Sequence, residues 1–247
     1  MSIKHPIISI TGSSGSGTTS VKKTFEEIFR RENITAAFIE GDAFHRYDRV
    51  GMRAAMEETM QKGNHHFSHF GPEANLIEDL ESVFREYSEK GSGRTRHYIH
   101  DEEESERYGC GQGTFTEWKP LEAGTDLLFY EGLHGAVVTE TANTARYADL
   151  KIGVVPVINL EWIQKIHRDK DERGYSQEAV VDTILRRMPD YVNYICPQFT
   201  ETDINFQRVP TVDTSNPFIA RWIPTPDESM VVIRFRNPRG IDFVYLV

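Results

Sequence analysis

Apolar residues recur along this chain in two rhythms. Residues 6–11 (PIISIT) form a short, almost wholly apolar run, the pattern of a strand covered on both faces. Beyond it, Val21, Phe25, Ile28 and Phe29 recur at i, i+4, i+7 and i+8. That is one face of a helix, closed by the basic turn Arg30–Arg31 and by Asn33 as a stop. Residues 36–42 (AAFIEGD) predict the next strand, completing a strand–loop–helix–strand crossover unit. Residues 127–132 (LLFYEG) and 150–158 (LKIGVVPVI) predict two more buried strands. Helices are predicted over 53–61, 73–87, 160–171 and 177–187, and late strands around 209–214 and 230–237 extend the sheet. The Gly- and charge-rich strip 90–119 breaks the alternation and predicts an excursion from the core rather than a separate domain. No internal repeat is present. The pattern as a whole predicts an α/β protein, a mixed and mainly parallel sheet with helices on both faces, in one domain over 1–247.

Composition narrows the partners. A net charge of −10 argues against a general nucleic-acid or membrane binder, so any phosphate site must be a local basic pocket. The two cysteines, Cys110 and Cys196, lack CxxC or Cys/His partners, which fits a reduced cytoplasmic compartment. No run approaches the ~18 apolar residues of a membrane span, and no signal peptide is expected.

Candidate chemistry starts in SITGSSGSGTTSVKKTF, residues 9–25. Gly12 and Gly17 have the spacing of a phosphate-binding loop, and Thr19 fills the slot that contacts a metal ion, but Thr18 stands where lysine is expected. A glycine-serine linker is the bland alternative, yet linkers are not normally clamped between a buried strand and an amphipathic helix. Gly12, Ser13, Ser14, Gly15, Ser16, Gly17, Thr18, Thr19 and Ser20 are therefore candidate nucleotide-binding residues. Their backbone N–H groups and the helix N-terminus suit phosphate oxygens. A nucleoside triphosphate carries about −4, Mg²⁺ returns about +2 and a helix N-terminus about +0.5, so other cations must contribute. Lys22 lies about 6 Å too far along the helix. In IQKIHRDKDERG, Lys165, Arg168, Asp169 and Arg173 fall on one helical stripe, either a cationic lid or a solvated helix with internal ion pairs. Asp42 and Glu131 sit at the carboxyl ends of predicted strands, where open α/β sheets place their chemistry. Either could ligate Mg²⁺, accept a proton or cap a helix. His45, Arg46 and Arg49 follow Asp42 and suit a phosphate on a second substrate, unless Asp48 ties up one arginine. His65 and His69 in NHHFSHF have helical metal-ligand spacing without a third ligand beyond His66, and a turn is the plainer expectation.

The motifs TGSSGSGTTS, EGDAFHR, RHYIHD, FYEGLHG, VINLEWIQKIHRDKDERGYSQEAVVDTILRRM and PQFTETDINFQRVPTVDTSNPF together resemble bacterial, non-plant phosphoribulokinases, over essentially the whole chain. The resemblance implies an adenylate-kinase-like P-loop NTPase fold. It also implies transfer of the ATP γ-phosphate to the C1 hydroxyl of ribulose 5-phosphate, the Calvin-cycle step that makes the CO₂ acceptor. Bacterial members also lack the loop lysine. By resemblance, Lys165 and Arg168 belong to a lid helix at about 160–174, and Asp42 is the catalytic base. Glu131 and Asp169 are linked to catalysis and, with Thr19, to Mg²⁺. His45, Arg49 and Arg173 match positions implicated in binding the sugar phosphate, with Tyr98 and His100 near the sugar. Arg31, Arg186, Arg187 and Arg234 match effector or subunit-contact positions in homo-octamers activated by NADH and inhibited by AMP. Ser16 occupies the place of the plant-type loop cysteine, so plant-like thiol switching is not expected. The sequence stops at GIDFVYLV while family members continue, implying a chain cut short or a shorter version. A uridine-kinase-like enzyme and a nucleotide-sensing protein without phosphotransfer are the alternatives.

Overall fold

The computed structural model describes residues 4–13, 15–155, 157–171 and 174–242. Ser14 and Arg173, both candidate site residues, lie outside the described residues. The opening unit is β1 (Ile7–Thr11), α1 (Thr18–Glu32) and β2 (Ala36–Glu40). Gly17 precedes α1 at φ 100°, and Asn33 ends it at φ 55°, a left-handed stop whose N–H returns to the carbonyls of Phe29 and Arg30. The apolar stripe of α1 packs Val21, Phe25 and Phe29 onto Ile10, Phe129 and Ile152 of the sheet.

The chain continues through α2 (Arg49–Gln61), α3 (Ile77–Lys90), β3 (Arg94–Thr95), α4 (Glu102–Tyr108), β4 (Lys119–Pro120) and β5 (Leu127–Gly132). Then come β6 (Leu150–Val154), α5 (Ile158–Asp171), α6 (Gln177–Asp190), α7 (Gln198–Glu201), β7 (Ile204–Pro210) and β8 (Ser229–Phe235). The main sheet has the order β2-β5-β1-β6-β7-β8, with the first five strands parallel and β8 antiparallel on β7. Leu80, Val83, Phe84 and Tyr87 of α3 cover the face opposite α1, against Ile7, Ile39, Leu128 and Tyr130. Helices thus lie on both faces. Among the described residues no helix is long and apolar enough to cross a membrane.

Several predicted boundaries move. The helix predicted from residue 73 begins at Ile77, because Pro72–Ala74 closes a tight turn and Asn75 is extended. The strand predicted over 150–158 stops at Val154, since an apolar run does not record where it turns into a helix. The strand predicted over 209–214 lies at Ile204–Pro210, where polar residues interrupt the apolar ones. Helix α2 starts at Arg49 rather than residue 53, because Asp48 accepts from Gly51 N at 2.6 Å as an N-cap and is not tied to an arginine. The strip 90–119 makes a two-stranded ladder, β3 on β4, with α4 between. Arg96 fastens it to the core: Nε donates to Ala43 O and Nη2 to His45 O, each at 2.8 Å, while its guanidinium covers Phe115 at 3.6 Å.

Candidate active site

The carboxyl ends of β1, β2, β5 and β6 open onto the glycine loop, the Asp42 turn, the segment 133–137 and α5. This end of an open parallel sheet is where loops rather than strands supply side chains. Two glycines bring β2 and β5 together there. A Cβ on Gly132 would stand 2.6 Å from Gly41 Cα, so the backbones touch and place Asp42 and Glu131 side by side.

The glycine loop is tightly folded. A Cβ on Gly12 would meet Ser16 Oγ at 2.6 Å and Val154 O at 2.9 Å, and Gly15 has φ 100°. Ser16 N donates to Ser13 O at 3.0 Å. The Ser16 hydroxyl is buried without a hydrogen-bond partner, an orphan that a phosphate oxygen would satisfy. Thr19 and Ser20 are exposed at the start of α1. Thr18 is buried and, against the burial that raises the pKa of Glu131, its hydroxyl lowers it, so the lysine slot is turned toward an acid. Lys22 pairs with Glu40 at 2.5 Å, away from the loop.

Helix α5 lies directly on this loop, with Lys165 Cβ 3.6 Å from the Cβ position of Gly15. Its cations are held internally. Lys165 Nζ reaches Asp169 at 2.5 Å and Arg168 Nη2 reaches it at 2.9 Å. Burial and the charge of Arg187 lower the Lys165 pKa to about 8 despite that ion pair. Burial pushes the Asp169 carboxyl up, but the bonds and charges of Lys165 and Arg168 outweigh it and hold it low. Sequence patterning overlooked Glu161, 5% exposed on the same helix. It accepts from Ser13 Oγ and from Tyr191 OH at 3.0 Å, tying the glycine loop to α5.

Asp42 lies in the turn Gly41–Phe44, with His45 Nε2 3.1 Å from Oδ1 and His100 Nε2 3.4 Å from Oδ2. Enclosure pushes its carboxyl up, but His45, by charge and hydrogen bond, and then His100 hold it well below the usual carboxylate range. Tyr98 stacks edge-on to His100 at 4.9 Å, so the excursion forms one wall. His69, read as part of a turn, brings its ring to 4.1 Å from His45. His134 follows β5 and is bonded to Phe70 O, with burial lowering its pKa to about 4. His134 carried no periodic signal, and the i, i+4 spacing of His65 and His69 does not fall on a helix. Among the described residues no group of three or more His, Cys, Asp and Glu is arranged to hold a metal ion alone.

Magnesium bound with a triphosphate needs only one or two protein oxygens, the phosphates and water supplying the rest. Glu131 fits that need. Burial raises its pKa, the charges of Asp42 and Glu40 push the same way, and a cation would relieve that crowding. Thr19 presents a hydroxyl nearby in sequence at the loop's end. Asp169 fits only after Lys165 and Arg168 let go of it.

The other predicted positions disperse. Arg49 donates to His100 O at 3.3 Å at the mouth of the wall. Arg31 pairs with Glu32 at the exposed end of α1, and Arg234 is exposed on β8. Arg186 donates to Phe67 O at 2.9 Å. Arg187, the remaining effector or subunit-contact candidate, bears by its charge on His45, His69 and Lys165. Its helix α6 packs beside α5 through Ile166, Val180 and Ile184, a proximity that sequence spacing does not encode.

A glycine loop between a central parallel strand and a helix, with acids at neighbouring strand ends, defines a P-loop kinase fold. The chain belongs to the phosphoribulokinase/uridine kinase family, whose model matches residues 7–215. It is 75% identical over 244 residues to a phosphoribulokinase of Nitrobacter vulgaris, covering 99% of this chain and 84% of that protein. It is 70% identical over 247 residues to one of Rhizobium meliloti, covering 100% and 85%. The solved phosphoribulokinase of Rhodobacter spheroides superposes with a TM-score of 0.89 at 63% identity, over 99% of this chain and 84% of that one.

Proposed function

We propose that the protein transfers the γ-phosphoryl group of ATP to the C1 hydroxyl of ribulose 5-phosphate, forming ribulose 1,5-bisphosphate, with Asp42 as general base. The observation that carries the role of Asp42 is its carboxylate, fixed by His45 and His100 at the strand end beside Glu131. The relatives' names support the substrates.

The transition state of phosphoryl transfer is loose, so the residues mainly position groups and balance charge. The glycine loop holds the phosphates through backbone N–H groups and the Ser16 hydroxyl. Glu131 and Thr19 would hold a magnesium ion bound with the nucleotide, which would supply neutralisation of the phosphate charge. The acceptor hydroxyl approaches Asp42 Oδ2, because His45 occupies Oδ1. Its proton passes to that oxygen as the new O–P bond forms and the bond from the γ-phosphorus to the β,γ-bridging oxygen breaks, so that ADP leaves. Lys165 and Arg168 exchange Asp169 for the phosphate oxygens as α5 closes, and Asp169 once released would help hold the metal. His45, Arg49, Tyr98, His100 and Arg173 hold the sugar phosphate. Residues 1–247 act as one kinase domain with an excursion and a lid.

The protein works in the cytoplasm as a homo-oligomer, an octamer in the resemblance, activated by NADH and inhibited by AMP, with Arg31, Arg186, Arg187 and Arg234 in effector binding or subunit contacts. Support for assembly comes from β8, where Met230, Val231, Val232 and Ile233 are all exposed on an edge strand.

A coupled ADP-release assay with ribulose 5-phosphate and with uridine tests the substrate. Turnover with uridine alone would reject it. Asp42→Asn is expected to lower kcat by about 10³-fold with nucleotide binding retained, since a positioned base supplies roughly 10²–10⁴. Measured turnover close to wild type would move the base elsewhere.

A further inference from the structure

His45 stands between Asp42 and a side chain that no motif singled out. Asn75 Nδ2 donates to the carbonyls of His69 at 2.8 Å and of Gly71 at 2.6 Å. Its Oδ1 lies 2.8 Å from His45 Nδ1. Backbone carbonyls only accept, so the amide has a single satisfactory orientation, with its oxygen toward the imidazole. That oxygen also only accepts, which puts a hydrogen on His45 Nδ1. The titrating nitrogen is then Nε2, 3.1 Å from Asp42 Oδ1. A neutral ring held this way would aim a bare lone pair at a carboxylate oxygen. The contact is attractive only when a proton lies in it.

We infer that Asn75 is a positioning residue that fixes the His45 tautomer and so commits the His45–Asp42 pair to one shared proton, as imidazolium and carboxylate. The inference deepens the assignment of Asp42 as base and rests on it for its catalytic meaning. With the imidazolium bonded to Oδ1, Oδ2, which His100 faces at 3.4 Å, keeps a lone pair for the acceptor hydroxyl. Without it, the carboxylate could turn and share both oxygens.

The groups around His45 fit this state. Burial lowers its pKa, but the charge and hydrogen bond of Asp42, with the bond to Asn75, raise it above the ordinary imidazole value. From the segment before Asn75, His69 stacks on it and is held neutral by burial and by the charges of His45 and Arg187. From α6, Arg187 opposes protonation by its charge. From the excursion, Arg96 bonds the His45 carbonyl, Tyr98 lies edge-on at 6.5 Å and His100 faces the other Asp42 oxygen. After β5, His134 is buried and uncharged near neutrality. Asp42 is the anion that the ring contacts.

Solid-state ¹⁵N spectra of histidine-labelled protein test this at any assembly size, with His45 assigned by its loss in His45→Gln. Near neutral pH both ring nitrogens are expected to carry hydrogen. Above the pKa the remaining hydrogen is expected on Nδ1, and finding it on Nε2 would overturn the inference. Two variants extend the test, because both remove the Nδ2 donors while only one removes the acceptor. Asn75→Ala is expected to move the alkaline limb of kcat/KM down by roughly one pH unit, and Asn75→Asp to move it up by a similar amount. A limb that stays put, or that moves the same way in both, means that Asn75 only braces the loop. If neither variant folds, the wild-type spectrum decides alone. Asp42→Asn kinetics test the base separately, so a wrong base and a wrong tautomer give different results.

Discussion

Thr18 turns its hydroxyl to Glu131 where such loops ordinarily extend a lysine, and Lys165 sits across the loop beside Gly15. For this helix to supply charge to the phosphates, Lys165 would have to leave its own Asp169. Lys165→Met is expected to lower kcat by at least about 10²-fold with ADP affinity changed less than threefold, measured by calorimetry beside the kinetics. Equal losses would remove the lid role. His134 gives a separate pH signature. Its pKa is about 4 folded against 6.5 unfolded, so the unfolded chain binds the extra proton between those values. Stability is full above 6.5 and falls by about 3 kcal/mol as pH drops toward 4. His69 adds to that loss, while His45, with its raised pKa, stabilises the fold below 6.5 and ceases to do so as pH rises through its folded value. Urea titrations of His134→Gln should show a shallower decline over the same interval, and a slope equal to wild type would contradict the assignment. The loop glycines, Asp42 and Glu131 were legible in the sequence because they sit at motif spacings and strand ends. Asn75, His69, His134 and Arg96 were not, because each acts through contacts that only the fold creates.

At the scale of elements, the strand–loop–helix start was readable from its apolar periods, and α1 stops at the predicted Asn33. Ends were less readable where a one-turn helix or a cap intervened, as at Pro72–Ala74 and Asp48. The close packing of α5 on the glycine loop was not encoded in either element's own pattern. Gly15 has left-handed φ, and a Cβ there would stand 3.4 Å from Glu161 O. Gly15→Ala is therefore expected to raise the KM for ATP by about tenfold, since a left-handed alanine costs roughly 1–2 kcal/mol. Unfolding temperature should move by only a few degrees, so thermal melts beside the kinetics separate a reshaped loop from a weakened fold. Gly132→Ala would act differently, pushing the Asp42 turn off β5 and lowering kcat for every acceptor.

The molecule is an acidic α/β protein with its candidate site at the carboxyl ends of the strands and exposed apolar side chains along β8. Val231 and Ile233 lie two apart on β8 and share a face, and each is about half exposed, at 61% and 47%. Paired Val231→Lys and Ile233→Lys substitutions are expected to shift the species seen by light scattering to a smaller mass, and an unchanged mass would place the assembly contact elsewhere. The candidate site has its own consequence. Asp42 meets His100 across the strip that Arg96 fastens, and Lys165 faces the glycine loop from far along the chain. Helices and strands made from neighbouring residues can therefore be present before those distant partners have docked. During renaturation from denaturant, circular dichroism should regain its native value first and turnover should trail behind it, with the delay shortened by whatever anion settles in the cleft.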